Sequence, residues 1–200
     1  AINFFTTNGY LDTNGNFSFS ERFTGILSGT TINGNIMQAQ YRCGQQYGLI
    51  PRTMLTWNDT IAAKYPNQAA MDEAYYNPSS ITQAMLDMGK QWLTYVNLSW
   101  GWIGDGTTPI PLATLALGCQ TSCLGSAIPL PSPINLYNES LVPYTGSTTV
   151  EHCITLDFVD LTPNDPYPLW GTDQYLPQVR QWASNYDFPI TIAHFVEMIK

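Results

Sequence analysis

Three observations in this 200-residue sequence predict an α+β fold with a helical first half and an antiparallel β-sheet in the second. Apolar residues recur at helical spacing early on, at Ile36, Ala39, Cys43 and Tyr47, then at Ile81, Met85, Met88, Trp92, Tyr95 and Val96. Two-residue alternation takes over later, most clearly in Val150 to Asp160, Val-Glu-His-Cys-Ile-Thr-Leu-Asp-Phe-Val-Asp. Segregation of helices from strands along the chain is the pattern of α+β domains rather than of alternating β-α units.

The elements follow in order. Ala1 to Thr7 reads as the last turns of a helix closed by Gly9, with the first part of that helix preceding Ala1. Asp12 to Asn16 is a turn, and Phe17 to Phe23 leads into a short helix capped by Ser20 or Ser18. After Asn33-Gly34-Asn35 a helix runs to Gly48, with Cys43 on its apolar side as a small core residue. Residues 56–80 read as irregular. Ser80, with Gln83 three residues on, predicts the cap of the next helix. That helix ends in a Trp-rich loop from Asn97 to Gly106, and Ile110 to Leu117 is a short helix stopped by Gly118. The segment from Cys119 to Leu130 returns as a strand, which Pro129, Pro131 and Pro133 bar from a central position further on. In the last strong strand, following a turn at 144–147, His152, Ile154, Leu156 and Phe158 share one face, and Cys153, Thr155, Asp157 and Val159 the other.

Composition bounds the function. The chain is 44% hydrophobic but only 11% charged, well under the roughly 25% usual for soluble domains. A net charge of −8 argues against a nucleic-acid partner, because phosphates would be repelled. No apolar run reaches the ~20 residues of a membrane span. The four cysteines, Cys43, Cys119, Cys123 and Cys153, lack zinc-ligand spacing, and with two histidines, His152 and His194, no metal site and no cofactor is expected. Cys119 and Cys123 could bridge across a turn, and Cys43 and Cys153 are left free or paired. Asn-x-Ser/Thr triplets at Asn16, Asn58, Asn97 and Asn138 fit an extracellular, virion-surface or cell-surface protein. His194 reads as a packing or surface residue.

Two constellations carry chemistry. The carboxylates of Asp72 and Glu73, or of Asp157 and Asp160, with Trp57, Trp100 and Trp102, would suit a carbohydrate-binding surface or a glycosidase. The other is more extensive. Ala-Ile-Asn-Phe-Phe, Phe-Ser-Glu21-Arg, Asn33-Gly34-Asn35-Ile-Met and Tyr-Gly-Leu-Ile-Pro, in this order, resemble the stretch that follows the nucleophile in papain-like cysteine peptidases. Ala-Thr-Leu-Ala-Leu-Gly, Ser-Ala-Ile-Pro-Leu and Glu151-His152-Cys-Ile-Thr-Leu-Asp-Phe are similar to that family's helix, strand and histidine strand. Gly171-Thr-Asp173-Gln-Tyr stands where the family carries Asn-Ser-Trp, as in divergent, phage-like or uncultured-bacterial members.

This resemblance implies one papain-like domain over residues 1–200, with residues 1–109 as a mainly helical lobe and 110–200 as a mainly β lobe. It implies His152 as the catalytic imidazole, oriented by Asp173 across a turn between Pro163 and Pro168. None of the four cysteines matches the family's nucleophile, which would lie upstream of Ala1 on an incomplete N-terminus. The expected partners are a peptide or protein substrate and the chain's own N-terminal fragment. A non-catalytic relative serving as an extracellular structural, carbohydrate-binding or protein-binding module is the other expectation.

Overall fold

The computed structural model describes residues 1–129, 141–142, 150–161, 169–173, 176–182 and 190–199. They form two compact units, Ala1–Ser99 with Val196–Lys200, and Trp100–Phe195.

The first unit is helical: α1 (Ile2–Thr7), α2 (Glu21–Leu27), α3 (Met37–Tyr47), α4 (Asp59–Ala62), α5 (Gln68–Tyr75) and α6 (Gln83–Leu93), followed by the start of β1 (Val96–Trp102). Side-chain oxygens at the helix starts accept the otherwise orphaned amides. Ser20 accepts from Phe23 N, Asn58 from Ile61 N, Asn67 from Ala70 N and Thr82 from Met85 N, each contributing about 1 kcal/mol. Ser20 is the expected cap of α2, whereas α6 starts from Thr82 and not from Ser80, which lies in a 3-10 turn (Pro78–Ser80). The segment 56–80 is likewise not irregular, since α4 and α5 occupy most of it. Both are too short to show an apolar period, and their asparagine caps were the available signal.

Two apolar clusters fill this unit. Phe5, Tyr10, Trp92, Val96 and Leu98 form one, and Phe23, Ile26, Ile50, Leu55 and Met85 the other. Tyr10 is fully enclosed, and its hydroxyl donates to Leu49 O at 2.9 Å. Cys43 is buried, as its place on the stripe of α3 predicts. Arg22 ties α5 to α2: its guanidinium donates to Tyr75 O at 2.7 Å, Ala74 O at 2.6 Å and Ser80 Oγ at 2.8 Å. The same group lies 4.9 Å from the Trp57 ring centroid. A cation on the last carbonyls of a helix also offsets its dipole.

Gly48, at φ 72°, ends α3 against Gly89 in α6. A Cβ on Gly48 would run into the Gly89 carbonyl, and one on Gly89 into the Tyr47 carbonyl, so only glycine permits this crossing.

The second unit holds α7 (Leu112–Thr121) and the strands β2 (Cys123–Pro129), β3 (Leu141–Val142), β4 (Val150–Val159), β5 (Leu169–Asp173), β6 (Leu176–Trp182) and β7 (Ile190–Met198). The sheet order is β1-β7-β2-β4-β5-β6-β3. β2, β4, β5, β6 and β7 pair antiparallel, and β3 pairs parallel with β6. The α+β expectation holds.

Three boundaries differ from expectation. Asn97 to Trp102 is strand rather than loop, because Val96 and Leu98 are buried in alternation. Gly118 does not stop α7. It lies inside the helix, where a Cβ would come within 2.9 Å of Leu124 Cδ1. Phe158 does not share the face of Ile154 and Leu156: it is 55% exposed while Val159 is 3% exposed. The pairing of β4 with β5 slips between Leu156 and Phe158, so Asp157 is an extra residue and the alternation beyond it inverts. The turns expected at 144–147 and between Pro163 and Pro168, with Pro131, Pro133 and Asn138, lie outside the described residues.

Gly48→Ala or Gly89→Ala should each cost about 2–4 kcal/mol, read as a lowered urea midpoint with an unchanged slope. Gly101→Ala, where a Cβ meets nothing within 4 Å, should move the midpoint far less.

Candidate functional site

The histidine strand is positioned by one apolar row. Leu124 on β2 pairs with Leu156 on β4 and with Ala193 on β7, and all three are nearly inaccessible. Leu115 and Ala116 of α7 pack on them. Burying each leucine contributes roughly 1.5–3 kcal/mol, so a one-residue slip that exposed the row would cost several such terms.

The next row follows from that register. Ser126 pairs with Ile154 on one side and Thr191 on the other, and Ile154 pairs in turn with Asp173 on β5. Residues directly opposite in an antiparallel ladder share a face, as do residues two apart on one strand. Asp173 therefore shares a sheet face with Ile154 and with His152, which pairs with Ile128 in the following row. The side chains of His152, Cys153, Asp173 and His194 lie outside the described residues.

Ladder irregularities flank both positions. Pairing of β2 with β4 slips between Ile128 and Pro129, leaving Glu151, next to His152, as the extra residue. Proline supplies no amide for the ladder, which accounts for the slip. Pairing of β5 with β6 slips between Thr172 and Asp173. Such bulges re-aim neighbouring side chains and gather near active sites. Sequence reasoning missed one feature of these rows. Ser126 and Thr191, both at 0% exposure, hydrogen-bond through their hydroxyls at 3.1 Å. A serine between Leu124 and Ile128, at a position alternation assigns to the core, was the available signal.

The thiols are chemically quiet. Burial pushes Cys43 up to about 12, and its thiol donates to Thr24 O at 3.6 Å. Cys119 is pushed up to about 11, first by desolvation and then by the Asp157 carboxylate, with its thiol donating to Leu156 O. Cys123 is raised by the same two causes. All three are free, which corrects the possible Cys119–Cys123 bridge and any bridge from Cys43. Cys119 is turned towards the Leu156 carbonyl inside α7, whereas Cys123 opens the exposed end of β2.

The carbohydrate features fare no better. Trp57 is stacked on Tyr65 at 5.6 Å, meets Tyr75 edge-on at 5.1 Å and has Arg22 over its ring, leaving little of its face for a sugar. Asp72 and Glu73 are consecutive on α5 and line the same groove. Trp102 is exposed, with Trp100 edge-on to it at 6.3 Å. Among the described residues no group of three His, Cys, Asp or Glu is placed to hold a metal, and no helix is long and apolar enough to cross a membrane.

No protein-family model and no curated protein matches the chain. Solved structures do. Two crystal structures of the Amb a 11 cysteine protease, a major ragweed pollen allergen, in its proform, each superpose with a TM-score of 0.54. The first is 13% identical and covers 93% of this chain and 53% of its own, and the second is 11% identical with 94% and 48%. This chain therefore spans about half the length of those proteins. At such identities the likeness shows the fold, which is that of a papain-like cysteine protease.

Thiol labelling checks the electrostatics. In the native protein Cys123 should react with an aromatic disulfide reagent before Cys119, and Cys43 only on unfolding. Rates should still be climbing between about pH 7 and 9 instead of levelling off, because the thiolate is disfavoured. Cys43 also sets a sign for stability. Its folded-state value lies above the unfolded one of about 8.5, so its contribution is whole below that pH. It is lost as pH rises towards about 12. Fast labelling of Cys43 with a plateau near neutrality would contradict both statements.

Proposed function

We propose that this chain is the larger part of a papain-like cysteine peptidase that hydrolyses peptide bonds through a Cys-His-Asp site. In this reading His152 is the general base and acid, Asp173 orients it, and the nucleophilic cysteine lies upstream of Ala1. The observation that carries the reading is the register, with Asp173 opposite Ile154 and on the same sheet face as His152. An imidazole needs an acceptor for one ring nitrogen if the other is to take a thiol proton, and a carboxylate in that role also raises the histidine pKa.

The thiolate would attack the substrate carbonyl, with His152 then passing its proton to the leaving amine. Water activated by the same imidazole would release the acyl group. Two further facts favour an upstream nucleophile. Every described thiol is held protonated by its surroundings, and the structural neighbours have about twice the length of this chain. Peptides or proteins are the substrate class, and the N-terminal fragment is a partner of this chain. A secreted or surface location accompanies this reading through the Asn-x-Ser/Thr triplets.

The protonated thiols also favour a second reading, in which the fold is retained as a non-catalytic protein-binding module. One experiment separates them. The gene product including the residues encoded before Ala1 is treated with a thiol-directed peptidyl inhibitor. Labelling before Ala1, lost in His152→Ala with kcat/KM lowered by roughly 10²–10⁴-fold, is the expected outcome. Undiminished labelling in His152→Ala removes the role given to that residue. A protein with neither labelling nor turnover is the binding module.

A further inference from the structure

The sheet of the second unit has a covered face and an open one. Leu124, Leu156 and Ala193 pack with Leu115 and Ala116 of α7, whereas Cys123, Thr155 and Asp157 are exposed. One position before Leu124, the pairing sets three chemistry-bearing residues abreast. Cys123 on β2 pairs directly with His194 on β7. On the other side Leu124 pairs with Leu156, so the position of β4 next to Cys123 is Asp157. Alternation assigns all three to the open face, because their neighbours Leu124, Leu156 and Ala193 occupy the covered one.

The row is close as well as aligned. Desolvation and then the Asp157 carboxylate raise the Cys123 thiol, which places that carboxylate within electrostatic reach of the sulfur. Directly opposed residues of antiparallel strands have Cβ atoms about 4.5–5.5 Å apart. A zinc ion lies about 2.3 Å from a thiolate and about 2.0–2.1 Å from an imidazole, which spans that separation. Gly125 is the next residue of β2 on this face, between Thr155 and Ile192, so no β2 side chain overhangs the row from there.

We propose that Cys123, His194 and Asp157 bind a zinc-class divalent cation on the open face of the sheet. Sulfur, nitrogen and oxygen donors together suit a borderline-soft ion, whereas calcium and magnesium take oxygen ligands. Three protein ligands leave the fourth tetrahedral position open. The cation also reverses the charge balance of the row. Without it the Asp157 carboxylate opposes a thiolate; with it both anions share one positive centre. The side chains of Cys123 and Asp157 are described, and His194 enters by its backbone register. Cys119 stays outside the set, its thiol donating to Leu156 O. Each ligand comes from a different strand, so no spacing within one segment announces the site. The inference is independent of the peptidase reading, whose His152 and Asp173 share the other face with Ile154.

The test titrates Co²⁺, then Zn²⁺, into reduced protein freed of metal by a chelator. Cobalt should bring up a sulfur-to-metal charge-transfer absorption and the visible bands of a tetrahedral ion, at one ion per chain. Zinc should displace it with a dissociation constant on the order of 1–10 µM near neutral pH. About one proton should be released per ion, as the S–H bond of Cys123 gives way to a sulfur–metal bond. Bound zinc should slow labelling of Cys123 by the aromatic disulfide reagent at least about 10-fold. Cys123→Ser should abolish the charge-transfer band, and His194→Gln and Asp157→Asn should each weaken zinc at least about 10-fold. Cys123 and Asp157 are exposed, so their variants keep the fold. Cys153→Ala, at a position further along the same face, should bind as the unaltered protein does. The proposal is overturned if the band survives Cys123→Ser or is lost in Cys153→Ala, or if His194→Gln binds zinc within about twofold of the unaltered protein. Zinc binding weaker than about 0.1 mM, or displaced by an equal concentration of calcium, would overturn it too.

Discussion

The closeness of α7 to β2 is the constraint on which the second unit rests. Gly118 has no side chain, so the helix settles directly on Leu124, and any larger residue would push it away. That contact buries Leu124, Leu156 and Ala193 as one row and so fixes the register of three strands at once. From there the positions of His152 and Asp173 follow with no further freedom except the slips in the ladder. A helix residue thus governs the alignment of two strand residues it does not adjoin in sequence.

The slips show how apolar packing and site geometry share one strand. From Ile154 to Leu156 the ladder is regular, and the side chains of Ile154 and Leu156 are buried. At Glu151 and at Asp157 an extra residue enters, and the pleat changes sense. Regular pairing holds the core, and the irregularities sit on either side of it. The Ser126–Thr191 hydroxyl pair fits the same division: two polar groups enclosed in the row beside the site satisfy each other and need no water.

Electrostatically the chain relies on few charges, each with a specific task. Arg22 stitches α5 to α2 by caps and ring contact, with no carboxylate partner in its hydrogen bonds. Its pKa is lowered by desolvation, as expected for a cation enclosed among carbonyls and rings. The exposed Asp105 accepts from the amides of Thr107 and Thr108, which hold its carboxyl below the usual range and close the loop before α7. Its contribution is present above the unfolded carboxylate pKa and is lost as pH falls through the lower folded value. The described thiols, by contrast, are all disfavoured as thiolates, whether buried as Cys43, half-buried as Cys119 or exposed as Cys123.

How much could be read in advance depended on whether a signal was local. The helix stripes of α3 and α6, the Ser20 cap, Gly9 and Gly48 as terminators, and the alternation of β4 were all legible, because each depends on residues within a turn or two. The helix through Gly118, the strand at Val96 to Trp102 and the inversion at Asp157 were misread because they were decided by what packs against them from distant sequence. The cap at Thr82 and the helices within 56–80 were misread although their capping signals are local. The sequence by itself determined the fold class, the helical and strand halves and the histidine strand, since period and turn chemistry are carried within each segment. Only the tertiary structure decided the register of β4 against β2 and β5 and the protonated state of the thiols. These depend on distances between segments that burial brings together.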